Sequence, residues 1–223
     1  GDLLIIDGLA GEVIVDPDPE TVAAYETRIA RLAEARTAVT ASPDDEAITL
    51  DGTRISLQGN IEFPREIETL IAQGGEGVGL YRTEFLYLTS MSEPSEDELY
   101  EQYSHCLRLL KGRPLTIRTL DLGADKYTQA QALEPERNPF LGLRSIRYSL
   151  QHLPQFKRQL RAILRASTQG PLKIMFPLIT TMSELKQAKM ILDDVREELE
   201  DEQIEVAKAV PVGMMIEVHS AAL

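Results

Sequence analysis

From residue 54 onward the chain alternates short, nearly continuous apolar runs with longer stretches of helical period. The runs are Arg54 to Ile61, Gly77 to Phe85, Leu115 to Leu122, Leu172 to Ile179 and Val210 to Val218. Strands buried on both faces read as unbroken apolar runs, and strands separated by helices pair in parallel. The pattern therefore predicts an α/β fold with a parallel sheet covered by helices. Two capping boxes, Ser95 to Glu98 and Thr181 to Glu184, each open a segment with apolar residues at helical spacing, such as Leu99, Tyr103, Cys106 and Leu110. Phe156, Leu160, Ile163 and Leu164 mark another helix. Two architectures remain open on periodicity, a doubly wound sheet and a (β/α)8 barrel.

Residues 1–16 read differently, as two short β runs around Gly8 to Gly11. A hairpin of that size is too small to stand alone and is expected to be the tail of something larger. Asp18-Pro19 opens a helix with Val22, Tyr25, Ile29 and Leu32 three and four apart. That helix runs to about Ala41, and Ser42-Pro43-Asp44-Asp45 breaks it, which puts the expected domain boundary near residue 45.

Composition narrows the function classes. No apolar stretch approaches the roughly 20 residues that span a bilayer; the segment Ala209 to Ile216 is strand-sized. Membrane insertion is excluded on this reading. A single cysteine cannot form an internal disulfide and there is no charged-then-apolar leader, so a reducing cytoplasm is the expected compartment. A net charge of −13 makes nucleic acid a poor partner. Against that charge, Arg137, Arg144, Arg147, Lys157, Arg158, Arg161, Arg165 and Lys173 follow one another with no acid between them. Such a segment suits either an anionic ligand or a solvated helix face.

Polar residues recur at the C-terminal ends of the predicted strands, the edge where α/β folds bind ligands. Arg82, Thr83 and Glu84 end the second, Arg118, Thr119 and Asp121 the third, with Lys126 just beyond, and Glu217 the fifth. A charge inside an apolar strand needs a partner, so Arg82 and Arg118 call for either a bound anion or an internal carboxylate such as Glu84 or Asp121. Guanidinium groups make paired charge-assisted bonds to carboxylate and phosphate alike. A phosphate would favour Mg²⁺, for which Glu217 is the candidate ligand, the alternative being an ordinary strand-end carboxylate.

The wording GGEGVGLYRTEFL (74–86), IRTLDLGADK (117–126), NPFLGLRSIR (138–147), LRAILRAS (160–167), LKIMFPLI (172–179) and VGMMIEVHSAAL (212–223) resembles, in order and spacing, a known family. It is similar to the phosphoenolpyruvate-binding region of the phosphoenolpyruvate–protein phosphotransferases, Enzyme I of the sugar phosphotransferase system, within the PEP-utilising enzymes. The resemblance implies that residues 1–16 end a swivelling phosphohistidine domain, 17–45 form its linking helix, and 46–223 supply the first five strands of a (β/α)8 TIM barrel. It implies that Arg82 and Arg118 bind the phosphate and carboxylate of phosphoenolpyruvate, with Arg144 and Lys126 contributing, and that Glu217 is one of two Mg²⁺ ligands. It further implies phosphoryl transfer to an enzyme histidine, then to a histidine-containing phosphocarrier protein, by a protein that dimerises in the family.

Departures from the pattern shape the expectation. None of His105, His152 or His219 has the Thr-Ser-His context of the family's phosphorylated histidine, and His219 stands where the family usually has proline. Cys106, on an early helix, reads as core; the family's acid cysteine comes from near the last barrel strand. A full barrel takes about 250 residues, more than lie between 46 and 223. The chain is therefore expected to lack three strands, the second metal ligand and the acid cysteine, and to be inactive alone. Pyruvate phosphate dikinase and phosphoenolpyruvate synthase share the barrel and arginines, but Leu80 to Leu86 and Asn138 to Gly142 favour the phosphotransferase wording. A non-catalytic regulatory barrel is the alternative from another class.

Overall fold

The computed structural model describes residues 3–40, 46–88, 93–122 and 142–223, with the backbone alone for 36–40. Two compact units divide the chain, Gly1–Asp45 and Glu46–Leu223. In the first, β1 (Leu4–Asp7) pairs antiparallel with β2 (Glu12–Val15), Leu4 opposite Val15 and Asp7 opposite Glu12. The turn is held by the Asp7 carboxylate, which accepts from the N–H groups of Leu9 and Ala10 at 3.0 Å each, and Gly11 supplies the left-handed residue at φ 71°. Helix α1 (Pro19–Thr40) starts where Asp18 accepts from the Thr21 N–H at 2.8 Å. Arg28 on α1 reaches back to Asp7 at 2.5 Å, so one carboxylate closes the turn and ties helix to hairpin. Leu4, Ile6, Leu9, Ile29 and Leu32 stay exposed, because two strands and one helix have too little surface to cover them.

The second unit runs β3 (Gly59–Ile61), α2 (Glu66–Ala72), β4 (Val78–Arg82), α3 (Glu84–Leu88), α4 (Glu96–Leu110), β5 (Leu115–Arg118), α5 (Ser145–Gln151), α6 (Leu153–Ala166), β6 (Leu172–Phe176), α7 (Met182–Asp201), β7 (Val212–Met214) and α8 (His219–Ala222). The five strands lie in chain order, each parallel to the last. A doubly wound sheet reverses its order at a switch point, whereas a barrel wall advances strand by strand. The arrangement is that of a partial (β/α)8 barrel, and among the described residues it does not close.

Each strand is shorter than its apolar run. Arg54 pairs back on Ile48 in an isolated antiparallel bridge around Gly52 at φ 86°, which leaves three residues for β3. Glu84 opens α3 instead of extending β4, Asp121 lies beyond β5, and Glu217 follows β7 by three residues. Apolar patterning marks burial, and buried chain continues past the last ladder hydrogen bond into the loops. Leu120, Leu122 and Ile179 are all buried outside strands.

The core lies between sheet and helices. Tyr81 of β4 meets Tyr103 of α4 edge-on at 6.1 Å, and Phe156 of α6 meets Phe176 of β6 at 6.2 Å. Both capping boxes form, Ser95 with Glu98 and Thr181 with Glu184. Gly77 is required by close approach, since a Cβ there would stand 2.7 Å from the Pro114 carbonyl oxygen.

Candidate functional site

Arg118 is the last residue of β5 and its side chain is only 11% exposed. Its guanidinium reaches Glu84 at 2.9 Å and Asp121 at 3.1 Å, and Nη1 also points at Met215 Sδ, 3.5 Å away. Two carboxylates answer the cost of burying the charge. They do not use every donor, and Nε is buried without a hydrogen-bond partner among the described residues. Asp121 is shared, for Arg144 Nη2 lies 3.6 Å from it and Ser145 Oγ donates to it. The internal pairing that the sequence left open is therefore present at Arg118, on both candidate carboxylates.

Arg82 sits in register with Arg118 on the neighbouring strand. In-register neighbours project to the same face, so both guanidiniums leave one face of the sheet at its C-terminal edge. The expectation that Arg82 is enclosed does not hold. Its side chain is 46% exposed and pairs with Glu62 at 3.0 Å, because β3 ends at Ile61 opposite Tyr81 and leaves Arg82 without a strand on that side, whereas Arg118 has Met175 of β6 beside it.

Beneath these arginines lies a buried polar chain. Thr83 Oγ1 donates to the Arg118 carbonyl at 3.0 Å, and Leu120 N–H donates to Gln159 Oε1 at 3.0 Å. Gln159 Nε2 in turn donates to Thr83 Oγ1 at 3.1 Å and to Tyr103 OH at 3.3 Å. On the other side Thr119 N–H donates to the Met175 carbonyl at 3.0 Å. Thr83 was read at this edge; sequence reading missed Gln159 and Glu62 as parts of it. The signal for Gln159 was available: a polar residue three after Phe156 and one before Leu160, on the apolar face of α6.

Glu217 is exposed beyond β7, and its Oε1 accepts the Leu178 N–H at 2.7 Å. Leu178 holds a left-handed φ of 48° in the loop after β6, so the carboxylate helps fix a strained turn. Among the described residues no three His, Cys, Asp or Glu side chains converge as a metal cage. Magnesium binds through one or two carboxylates, waters and substrate phosphate, and a single oriented carboxylate such as Glu217 fits that mode. Lys126, Arg137 and the segment Asn138 to Leu141 lie outside the described residues.

Of the basic stretch, Arg144 reaches this edge. Four residues of α6, for which a solvated helix face was the alternative, are ion-paired to acids on or next to the neighbouring helices. Lys157 meets Glu198 at 2.6 Å, Arg158 meets Glu93 at 3.0 Å, Arg161 spans Glu96 and Glu202 at 2.7 and 2.6 Å, and Arg165 takes Glu96 and Asp97 at 2.6 and 2.8 Å. His105 is exposed on α4, His152 stacks on Tyr148 at 3.9 Å between α5 and α6, and His219 starts α8. Cys106 is fully buried in the core.

The family model described as PEP-utilising enzyme, PEP-binding domain matches residues 36–223. The phosphoenolpyruvate-protein phosphotransferase of Priestia megaterium is 45% identical over 223 residues, all of this chain and 39% of that protein. Those of Geobacillus stearothermophilus and Bacillus subtilis (strain 168) are 46% and 43% identical over 224 and 227 residues, with the same coverage. The chain spans about two-fifths of the length of these curated relatives. No helix among the described residues is long and apolar enough to cross a membrane.

Proposed function

We propose, from the premise that this chain belongs to the PEP-utilising enzymes and carries their PEP-binding domain, that the C-terminal edge of its sheet binds phosphoenolpyruvate. The protein is then a phosphotransferase that passes the phosphoryl group to one of its histidines and onward to a histidine-containing phosphocarrier protein. The observation that carries this reading is the pair of arginines, Arg82 and Arg118, in register at one sheet edge. Phosphoenolpyruvate presents a carboxylate and a phosphate, each a match for a planar fork of donors. Arg118 is the fixed member, clamped by Glu84 and Asp121. Arg82 is the adjustable one, since its half-exposed pair with Glu62 is of the weak surface kind that a phosphate displaces at small cost.

Arg144, tied to Arg118 through Asp121, adds a second positive charge behind the fixed guanidinium. Lys126 is assigned to the same substrate on the family resemblance. Phosphoryl transfer passes through a loose transition state with charge spread over the equatorial oxygens, which preorganised cations stabilise without reorganising. Glu217 would hold Mg²⁺, which when bound neutralises phosphoryl charge. None of His105, His152, His219 or Cys106 is assigned a catalytic step. Chemistry thus depends on groups beyond those named here, in keeping with a chain that is inactive alone, in a cytoplasmic protein that works as a homodimer.

The test is phosphoenolpyruvate affinity of the intact protein by titration calorimetry with Mg²⁺. Arg118→Lys keeps the charge and loses the fork, and should weaken binding about tenfold or more, with Arg82→Ala weakening it too. Unchanged affinity in both variants would remove the reading.

A further inference from the structure

We propose that Gln159 is the positioning residue of the arginine edge, acting with Thr83 to hold the ends of β4 and β5 at a fixed separation. The inference rests on the reading of Arg118 as a substrate ligand and adds what sets that ligand's place. Gln159 is 1% exposed and Thr83 is fully buried, so each of their polar atoms needs a protein partner.

Donor and acceptor roles leave one arrangement. Leu120 N–H can only donate, so Gln159 Oε1 must face it. Thr83 Oγ1 gives its hydrogen to the Arg118 carbonyl and must therefore accept from Gln159 Nε2. Tyr103 OH takes the second amide hydrogen. One side chain from α6 thereby fastens the residue after Arg82 and the residue before Asp121, with the Arg118 carbonyl linked through Thr83. These bonds lie where the parallel ladder has ended, since β4 stops at Arg82 and β5 at Arg118. Beyond the ladder the two strand ends are otherwise joined by Glu84, which takes the Arg118 guanidinium at 2.9 Å and the Asp121 N–H at 3.1 Å, a link through side-chain charge that leaves the main chain at Thr83 and Leu120 held only by packing. An apolar residue would fill the same space, so the amide's distinct contribution is the register of those two ends.

The experiment measures phosphoenolpyruvate affinity and thermal midpoint of the intact protein for Gln159→Met, Thr83→Val, their double variant, Ile163→Val and Arg118→Ala. Ile163 is fully buried on the same helix, and its truncation lowers stability without removing any hydrogen bond of the network. Gln159→Met and Thr83→Val should each weaken binding about tenfold, the double variant no further than either alone, and Ile163→Val less than about twofold. If Gln159→Met does not fold, Thr83→Val, nearly isosteric, decides alone. Affinity within about twofold of the parent in the Gln159 and Thr83 variants, while Arg118→Ala abolishes binding, overturns the positioning role and leaves the site reading standing. Fully additive losses, or an equal loss in Ile163→Val, overturn it as well. Parental affinity in Arg118→Ala instead removes the site reading, and the positioning role with it.

Discussion

Cys106 lies on α4 with its thiol enclosed, and burial pushes its pKa up to about 12. At neutral pH it is a thiol with almost no thiolate, and thiolate is the reactive form. Ellman's reagent should leave the native protein unmodified over an hour at about pH 8, and modify one group per chain once denaturant is added. Rapid native labelling would mean that α4 opens readily. Other residues yielded to sequence reading unevenly. Arg118 was legible because a charge in an apolar run has to be answered by something, and it is answered by Glu84 and Asp121. Arg82 has the same local wording but lies past the end of the neighbouring β3, where solvent and Glu62 suffice, and no pattern in the run encodes that difference.

At the level of the helix, α7 begins on a device that can be titrated. Burial raises the Glu184 carboxyl, but hydrogen bonds from Thr180 Oγ1 and from the N–H groups of Thr180 and Thr181 lower it further, to a net value below the usual 4.5. A carboxylate lowered in the folded state contributes stability that is complete above its unfolded pKa and is lost as pH falls through the folded one. Glu184→Gln should therefore lower the melting temperature by about 2–4 °C near neutrality, and the gap should shrink as pH falls below the usual carboxylate value of 4.5 and through the lowered folded one. A gap constant across that range, read by calorimetry, would show that the carboxylate charge is not involved. Both capping boxes were legible because the motif is local. The partners of α6 were not, since Arg161 and Arg165 meet acids from α4 and α7 that lie up to 69 positions away.

Across the molecule, the expected parallel sheet is present, and strand order settles barrel wall against doubly wound sheet, a choice that periodicity could not make. Among the described residues β3 and β7 each have a single neighbour in the sheet. A groove of about 630 Å³ beside β3, lined by Gln58, Asn60, Thr69 and Leu70, marks one of these open sides. Unpaired strand edges are templates for pairing with another chain. The 223-residue chain alone should self-associate with rising concentration between about 1 and about 100 µM in sedimentation velocity, and Asn60→Lys on β3 should weaken that association. A monomer throughout the range would show that both edges are protected.

Nearest-neighbour strand order also has a consequence for how the sheet is made on the ribosome. Every strand after β3 docks on the one emitted just before it, so no strand waits for a distant partner and each addition closes only its own βα loop. The nascent chain can build the wall vectorially, β3 to β7, at the pace of synthesis. At each moment one fresh edge is left open, and the next strand to emerge is the one that covers it.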